Sequence, residues 1–137
     1  MSTIFYLIRH GRYEAENPEE LCPLSAEGVR QAYECAEDER LKNCQLILSS
    51  PFTRAMHTAA IFTRRLGLDV EVAPDLREKG RLESWAQVRR RALAALQKYT
   101  AYDKVIVVTH ADTIYALTGE ASIPNCSIHE FAVDGER

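Results

Sequence analysis

The sequence predicts an α/β fold, a three-layer sandwich in which helices cover both faces of a mostly parallel sheet. Short apolar runs alternate with amphipathic, helix-like stretches from one end of the chain to the other. Several of these runs are continuously apolar, which is typical of parallel strands buried on both faces. The chain has 137 residues, of which 46% are hydrophobic. We therefore expect residues 1–137 to form a single domain with its own core.

The first strand and the first helix are predicted on either side of a polar loop. Residues 4–8 form an apolar run that stops at Arg9-His10-Gly11, which indicates a buried strand entering a loop. The loop, residues 12–24, is followed by Ser25, a residue type that caps helices. We expect the capped helix to cover residues 26 to about 41.

Two strands flank a second helix in the middle of the chain. Residues 45–48 are predicted to form a strand that ends at Ser49-Ser50-Pro51, because residues 46–48 are apolar. The pattern then predicts a helix over residues 53–66, because Gly67 is placed to serve as its C-terminal stop. A third strand is expected over residues 70–73.

The last part of the chain alternates in the same way. Ser84 can cap a helix that reaches about residue 99 and carries an apolar stripe. Residues 104–108 are rich in β-branched side chains and give the clearest strand signal, and a short helix follows to about Thr118. Residues 127–133 close the fold as a strand at or near an edge of the sheet. The stripe consists of Trp85, Val88, Ala92, Ala95 and Leu96.

Polar side chains follow three of the predicted strands at the points where the strands end. The first strand ends at Arg9-His10-Gly11, the second at Ser49-Ser50-Pro51 with Arg54 on the next helical turn, and the fourth at Thr109-His110. In open α/β sheets, ligands bind beyond the carboxyl ends of the strands, next to helix N-termini that favour anions. Gly11 allows the main chain to come close to a ligand. The sequence therefore predicts an anion site at this edge.

These residue types favour phosphoryl transfer. Arg9 and Arg54 can hold a phosphate through bidentate hydrogen bonds, and a neutral imidazole is a nucleophile toward phosphorus. A protonated His110 would add a positive donor. The chain has neither a P-loop nor an aspartate cluster for Mg²⁺, so a metal-free reaction is the simplest account. Each feature alone also has a simpler explanation: Arg-His-Gly can occur by chance, His110 can be a core histidine, and Arg54 can be a solvated charge on a helix. Because all of them lie at the ends of predicted strands, together they favour a functional site.

Charge and hydropathy exclude other classes. The net charge of −3 gives no support for nucleic-acid binding, because proteins that bind nucleic acids carry positively charged surfaces. No apolar run approaches the ~20 residues that a membrane span needs, and the start of the chain lacks a signal-peptide pattern, so we expect a cytoplasmic protein. The cysteines show no metal or C-x-x-C spacing and are expected to be reduced thiols. They are Cys22, Cys35, Cys44 and Cys126.

The chain resembles the histidine phosphatase superfamily, the group that includes the phosphoglycerate mutases. The matching motifs occur in the family's order and cover about residues 4–133, which makes the set far more specific than any one of them. They are Leu7-Ile8-Arg9-His10-Gly11, Pro23-Leu24-Ser25-Ala26-Glu27-Gly28 with Gln31-Ala32, Ser50-Pro51-Phe52-Thr53-Arg54-Ala55 with Thr58-Ala59, Asp75-Leu76-Arg77-Glu78, Glu83-Ser84, Val107-Val108-Thr109-His110 and Asn125-Cys126-Ser127-Ile128.

The resemblance implies a phosphoglycerate mutase-like fold and a phosphatase site that needs no cofactor and no metal. His10 would become a phosphohistidine, and Glu78 would protonate the leaving oxygen and later take a proton from water. The phosphate pocket implied by the resemblance contains Arg9, Arg54 and His110, with Gly11 and, more weakly, Asn17 as further substrate-binding residues. The substrate would be a phosphorylated small molecule or a phosphoprotein.

Three departures from the family pattern shape the prediction. Tyr13 stands where the family often has Thr, and Asn17 lies one residue out of register with the family's Asn. Only residues 79–82 separate Glu78 from Glu83-Ser84, where the family usually inserts a helical lid. We therefore expect an open site that favours hydrolysis over mutase action, because water can reach the phosphohistidine. The alternatives are a non-catalytic module that binds a phospho-ligand, and phosphotransfer of the phosphoglycerate mutase type.

Other residues are expected to be structural. Trp85 is predicted to lie in the core, the run Arg89-Arg90-Arg91 to form a solvated helix face, and His57 and His129 to be structural or surface residues. The oligomeric state is not readable from the sequence.

Overall fold

Five strands form one mixed sheet in the computed structural model, which describes residues 1–135. The sheet order is β3-β2-β4-β1-β5; β5 runs antiparallel to β1, and the other pairings are parallel. The strands are β1 (Ser2–Arg9), β2 (Leu46–Ser49), β3 (Val70–Val72), β4 (Lys104–Thr109) and β5 (Ile128–Asp134). The helices are α1 (Ala26–Cys35), α2 (Thr53–Leu66), α3 (Trp85–Gln97) and α4 (Ala111–Thr118). The predicted α/β sandwich is confirmed, while the single-domain expectation stays a prediction.

Both faces of the sheet are buried, which explains why the strands are continuously apolar. Successive side chains of a strand point to opposite faces. Phe5, Leu7 and Val107 pack in one core with residues of α3 and α4. Ile8 and Ile106, with the alternate residues of the other strands, pack in a second core with residues of α1 and α2. The helices therefore form the outer layers, and the carboxyl ends of the central strands lie between them.

The predicted end of the first helix is wrong, because α1 stops at Cys35 and not near Leu41. The Asp38 side chain accepts a hydrogen bond from the main-chain N–H of Arg40 at 2.9 Å, so it competes with the helical pattern. A short 3-10 turn, Glu39–Leu41, follows and buries Leu41 in the core. The other helix boundaries agree with the sequence to within two residues, including Gly67, which ends α2 in the left-handed region at φ 70°.

The prediction that Trp85 lies in the core is also wrong. Its side chain is 48% exposed, and its ring meets the half-exposed ring of Tyr115 edge-on with the centroids 4.9 Å apart. Trp85 begins α3, and the first buried residue of that helix is Val88, about one turn later. The apolar stripe was therefore predicted one residue too long.

None of the helices within residues 1–135 combines the length and the apolar character that a membrane span requires.

Candidate active site

The parallel pairing of β1, β2 and β4 brings the predicted site residues to one edge of the sheet. Arg9 is level with Thr109, and Ser49 is level with Val108, so the three strands end side by side. His10 directly follows β1 and His110 directly follows β4. The predicted convergence of two histidines and Arg54 at this edge is thus what the structure shows.

His10 is held as a neutral imidazole whose Nε2 carries a lone pair and points toward Arg54. Its Nδ1 lies 2.8 Å from the main-chain oxygen of Gly11, and a carbonyl oxygen only accepts, so Nδ1 carries the proton. Nε2 then accepts from Nε of Arg54 at 3.3 Å. The side chain is 3% exposed, and burial lowers the pKa of His10 from 6.5 to about 4, with the charge of Arg54 acting in the same direction. A neutral imidazole in this tautomer is a nucleophile at Nε2.

Arg54, on the first turn of α2, connects the members of the site. It is 0% exposed. Besides its bond to His10, Nη2 donates to Oε2 of Glu78 at 2.9 Å and Nη1 donates to the main-chain oxygen of Glu19 at 3.2 Å. The guanidinium stacks 4.4 Å from the centre of the Tyr13 ring. Tyr13 therefore contributes a cation–π contact at the position where the family often has Thr.

His110 faces His10 across the site, with the ring centroids 5.1 Å apart. Its Nε2 is bonded to Oγ of Ser50 at 2.8 Å, while its Nδ1 is buried without a hydrogen-bond partner in the described part of the chain. Burial lowers the pKa of His110, and the neighbouring charges of His10 and Arg54 lower it further. Nδ1 is thus a polar atom that an anion's oxygen or hydroxyl can satisfy. Ser50 was noted in the sequence only as a strand end, and its role as the partner of His110 was missed.

The main chain around His10 is fixed from two sides. The Gly11 N–H donates to Oγ1 of Thr58 at 3.0 Å, and Nδ2 of Asn125 donates to the main-chain oxygen of His10 at 3.0 Å. A Cβ at Gly11 would lie 2.7 Å from the main-chain oxygen of Gly28, so close packing against α1 requires glycine here. Asn125 is a residue whose contact with the site sequence reasoning missed, although it begins one of the quoted motifs.

The two remaining predicted substrate-binding residues differ in placement. Nη1 of Arg9 donates to the main-chain oxygen of Ile123 at 3.0 Å, its Nε is buried without a partner among the described residues, and its charge lowers the pKa of both histidines. Asn17 is exposed in the loop after β1. No hydrogen bond within residues 1–135 joins Asn17 to the histidines or to Arg54, so the structure does not bring it into the cluster.

Glu78 lies at the rim of the cluster. Its side chain is 41% exposed and accepts the 2.9 Å bond from Arg54. Burial raises the pKa of Glu78 above its ordinary value, and the charge of Asp112 raises it further, although Arg54 acts in the opposite direction. A carboxyl group with a raised pKa beside a nucleophile is suited to donate and accept a proton.

The expectation of an open site is wrong for this structure. The exposed fractions of His10, Arg54 and His110 are 3%, 0% and 1%. The linker between Glu78 and Glu83 is short, as the sequence shows, but the loop after β1 covers the site in place of a lid. Its Tyr13 ring and its Glu19 carbonyl oxygen both contact the Arg54 guanidinium.

The prediction that Arg89-Arg90-Arg91 forms a solvated face is wrong for Arg91, while Arg89 and Arg90 are exposed. The Arg91 side chain is 10% exposed and ion-paired with Glu83. Arg89 donates to the main-chain oxygens of Ala116 and Leu117 at the end of α4, where a positive charge is favourable.

The histidines outside the cluster have structural partners. His57 accepts from the main-chain N–H of Leu24 at 3.0 Å. His129 bonds to Glu120 and Ser127, each at 2.7 Å. These contacts agree with the structural roles expected for both residues.

No group of three or more His, Cys, Asp or Glu side chains within residues 1–135 is arranged to hold a metal ion. The free cysteines are Cys22, Cys35, Cys44 and Cys126.

Comparison with known proteins gives a consistent picture. The family model described as the histidine phosphatase superfamily (branch 1) matches residues 5–81. The uncharacterized phosphatase PhoE of Bacillus subtilis (strain 168) is 28% identical over 151 aligned positions, covering 88% of this chain and 78% of PhoE. The probable phosphoglycerate mutase GpmB of Proteus mirabilis (strain HI4320) is 37% identical over 78 positions, covering 53% of this chain but 36% of GpmB. The structure of mycobacterial hydrolase 1 superposes with a TM-score of 0.82 at 21% identity, covering 96% of this chain and 92% of the hydrolase, which establishes the shared fold.

Proposed function

The chain belongs to the histidine phosphatase superfamily (branch 1), and from this premise we propose that it is a metal-independent phosphatase acting through a phosphohistidine on His10. Its substrate is a phosphomonoester or a phosphorylated side chain. The observation that carries the proposal is the state of His10, a buried neutral imidazole whose Nε2 faces the guanidinium of Arg54. PhoE, which carries the name of a phosphatase, supports the same activity. A cytoplasmic location stays a prediction.

In the first step, Nε2 of His10 attacks phosphorus and the bond between phosphorus and the leaving oxygen breaks. Arg54 and Arg9 stabilise the negative charge on the other phosphate oxygens, and Nδ1 of His110 is the polar atom that can contact one of them. Glu78, when protonated, gives its proton to the leaving oxygen, so the alcohol departs neutral. The products of this step are the alcohol, a phosphohistidine and the Glu78 carboxylate.

In the second step, water attacks the phosphohistidine and Glu78 takes a proton from that water. The bond between phosphorus and Nε2 breaks, and inorganic phosphate leaves with His10 restored as the neutral base. Glu78 acts in both steps, so its pKa must allow both forms. The raised pKa of the free carboxyl favours the protonated form that the first step needs.

A phosphate bound at Arg54 competes with acceptors that the protein itself supplies. Three of the five N–H groups of the Arg54 guanidinium donate to His10, Glu19 and Glu78. A phosphate can bind the remaining N–H groups or take the place of the Glu19 carbonyl oxygen or the Glu78 carboxylate. Release of Glu78 from Arg54 removes a contact that lowers its pKa, so substrate binding and protonation of the acid support each other.

The experiment that tests this proposal is hydrolysis of p-nitrophenyl phosphate in the presence of EDTA. We expect metal-independent turnover, a burst of alcohol equal to the enzyme concentration where hydrolysis of the phosphoenzyme is slow, and no turnover in His10→Ala. Arg90→Ala, at an exposed position, serves as a matched control. Full activity in His10→Ala would overturn the proposal. Tight phosphate binding without any phosphoenzyme would indicate the non-catalytic module instead.

Phosphotransfer of the mutase type is a second candidate, favoured by the burial of His10, whose ring meets the Tyr13 ring edge-on. A covered phosphohistidine is protected from water, which a mutase requires. The partial similarity to the probable phosphoglycerate mutase GpmB points in the same direction. Incubation with 3-phosphoglycerate separates the two activities, because a mutase forms its isomer faster than it releases phosphate. A panel of phosphorylated metabolites and a phosphohistidine-bearing protein, assayed side by side, then distinguishes small substrates from phosphoproteins.

A further inference from the structure

The segment that carries Glu78 is fixed along its backbone by side chains from three neighbouring elements. The main-chain oxygen of Leu76 accepts from Oγ1 of Thr109 at 2.7 Å, at the end of β4. The oxygens of Asp75, Arg77 and Glu78 accept from Arg91 on α3. Every main-chain oxygen from Asp75 to Glu78 is thus held by a side chain outside the segment. Loops at active sites are commonly mobile, so this density of contacts calls for an explanation.

Arg91 contributes most of these contacts. Nη1 donates to the oxygens of Asp75 and Arg77 at 2.6 and 2.9 Å, and Nη2 donates to the oxygen of Glu78 at 3.3 Å. Nη2 and Nε also donate to the two carboxylate oxygens of Glu83, each at 2.8 Å. A guanidinium has five N–H groups, and the five hydrogen bonds of Arg91 account for all of them. Such a side chain has one orientation only.

Glu83 completes the arrangement by closing the short linker after Glu78. Its Oε1 accepts from the Gly80 N–H at 2.7 Å in addition to its bond from Arg91. Hydrogen bonds from Arg91 lower the pKa of Glu83 to about 2, so Glu83 is ionised at neutral pH. The linker therefore has a fixed path between Glu78 and the start of α3.

Asp112, on the first turn of α4, holds the other polar atom of the same peptide group. Its Oδ2 accepts from the main-chain N–H of Lys79 at 3.1 Å. The C=O of Glu78 and the N–H of Lys79 belong to one peptide unit, so Arg91 and Asp112 fix that unit from two helices. The Cα of Glu78 adjoins this unit, and the direction in which its side chain leaves the backbone is set by it.

We propose that Arg91, oriented by Glu83, and Asp112 are positioning residues for Glu78, holding its carboxyl group where the leaving oxygen of the substrate must accept a proton. The inference rests on the proposed function, in which Glu78 is the general acid. It extends that function to residues that touch neither the phosphate nor the nucleophile. An arginine with a merely structural role would support the fold without affecting proton transfer selectively.

The dependence of the rate on the leaving group separates these two roles. A good leaving group such as p-nitrophenolate departs with little help from an acid, whereas phenolate needs a proton in the transition state. Loss of correct acid position therefore slows phenyl phosphate more than p-nitrophenyl phosphate. General acid catalysis contributes about 10²–10⁴-fold, so a displaced acid should cost roughly 10–100-fold on phenyl phosphate.

The test compares Arg91→Lys with the matched control Arg90→Lys, in which the exposed neighbouring arginine is changed in the same way. For both, kcat/KM is measured on p-nitrophenyl phosphate and on phenyl phosphate. We expect the ratio of the two values to rise by about 10-fold or more in Arg91→Lys and to stay unchanged in the control. In the Glu78→Gln background, Arg91→Lys should change this ratio no further, because no acid is left to position. An equal loss on both substrates in Arg91→Lys would overturn the inference.

Two further results keep the inference and the proposed function distinguishable. If Glu78→Gln slows both substrates equally, Glu78 is not the general acid. The role of Glu78 in the proposed function is then wrong, whatever the effect of Arg91. If Arg91→Lys does not fold, as judged by circular dichroism and urea unfolding, Asp112→Ala takes its place, since it deletes the acceptor of the Lys79 N–H. Because the charge of Asp112 also raises the pKa of Glu78, each protein is compared at the optimum of its own pH profile. A selective loss on phenyl phosphate in Asp112→Ala under these conditions supports the inference, and an equal loss on both substrates overturns it.

Discussion

Replacement of His10 by Gln should change how the stability of the protein depends on pH. Burial lowers the pKa of His10 from 6.5 to about 4, whereas the same side chain in the unfolded chain has a pKa of about 6.5. The unfolded state therefore binds more protons than the folded state between these two values, and the free energy of unfolding falls as the pH falls through this window. The difference of about 2.5 pKa units corresponds to about 3 kcal/mol of stability that wild type loses between pH 7 and pH 4.

The assay is urea unfolding of wild type and His10→Gln at intervals from pH 7.5 to pH 4. His110 is present in both proteins, so its own titration largely cancels in the difference between them. The variant lacks the titrating group at His10 but keeps a side chain that can accept from Arg54. We expect the unfolding free energy of wild type minus that of the variant to fall by about 3 kcal/mol as the pH is lowered across the window.

The result that refutes this reasoning is a difference that stays constant from pH 7.5 to pH 4. It would mean that His10 takes up a proton in the folded state as readily as in the unfolded chain. The nucleophile would then be cationic in mild acid, and the pH profile of kcat/KM would show the loss of a neutral imidazole near pH 6.5.

Three further predictions concern the walls of the site. Arg54→Lys keeps the charge but loses the planar fork, and we expect kcat/KM for p-nitrophenyl phosphate to fall about 10²–10³-fold; a loss under fivefold would contradict the phosphate role. Gly28→Ala places a Cβ 2.1 Å from the Arg12 main-chain oxygen and should lower the unfolding free energy by about 1–3 kcal/mol, measured in urea; unchanged stability would show that the loop can shift freely. Ser50→Ala leaves Nε2 of the buried His110 unpaired and should lower stability by about 1–3 kcal/mol, together with kcat; an unaffected variant would exclude the bond as an orienting contact.

The fold was predictable because its signals are local. Continuous apolar runs mark the buried strands, and Ser25, Gly67 and Ser84 mark helix ends where the structure shows them. The errors concern the end of the first helix and the burial of Trp85, which the hydrophobic pattern alone does not determine. Asp38 ends the first helix early through its own hydrogen bond, and Trp85 lies exposed because burial of its helix begins only one turn later.

The site was predictable where strand ends place it, and less so elsewhere. His10, Arg54 and His110 follow from parallel strands that end at one edge. Glu78 carries no such signal, since its charged neighbours are typical of a surface, and it entered only through the family resemblance. The cover over the site was not predictable, because it depends on a main-chain oxygen at Glu19, and every residue has a main-chain oxygen.

The hydrogen bonds that Arg54 makes within the protein have a consequence for turnover. Because Glu19 and Glu78 already accept from Arg54, an inorganic phosphate that takes their place exchanges hydrogen bonds and adds few new ones. The net gain for the product is therefore small, and product inhibition should be weak even though the arginine is buried. A singly charged anion with fewer oxygens makes fewer hydrogen bonds to Arg54 in exchange, so we expect it to bind more weakly than phosphate. Glu19 on the loop after β1 and Glu78 after β3 thus act as internal competitors, which favours ligands that can replace both acceptors.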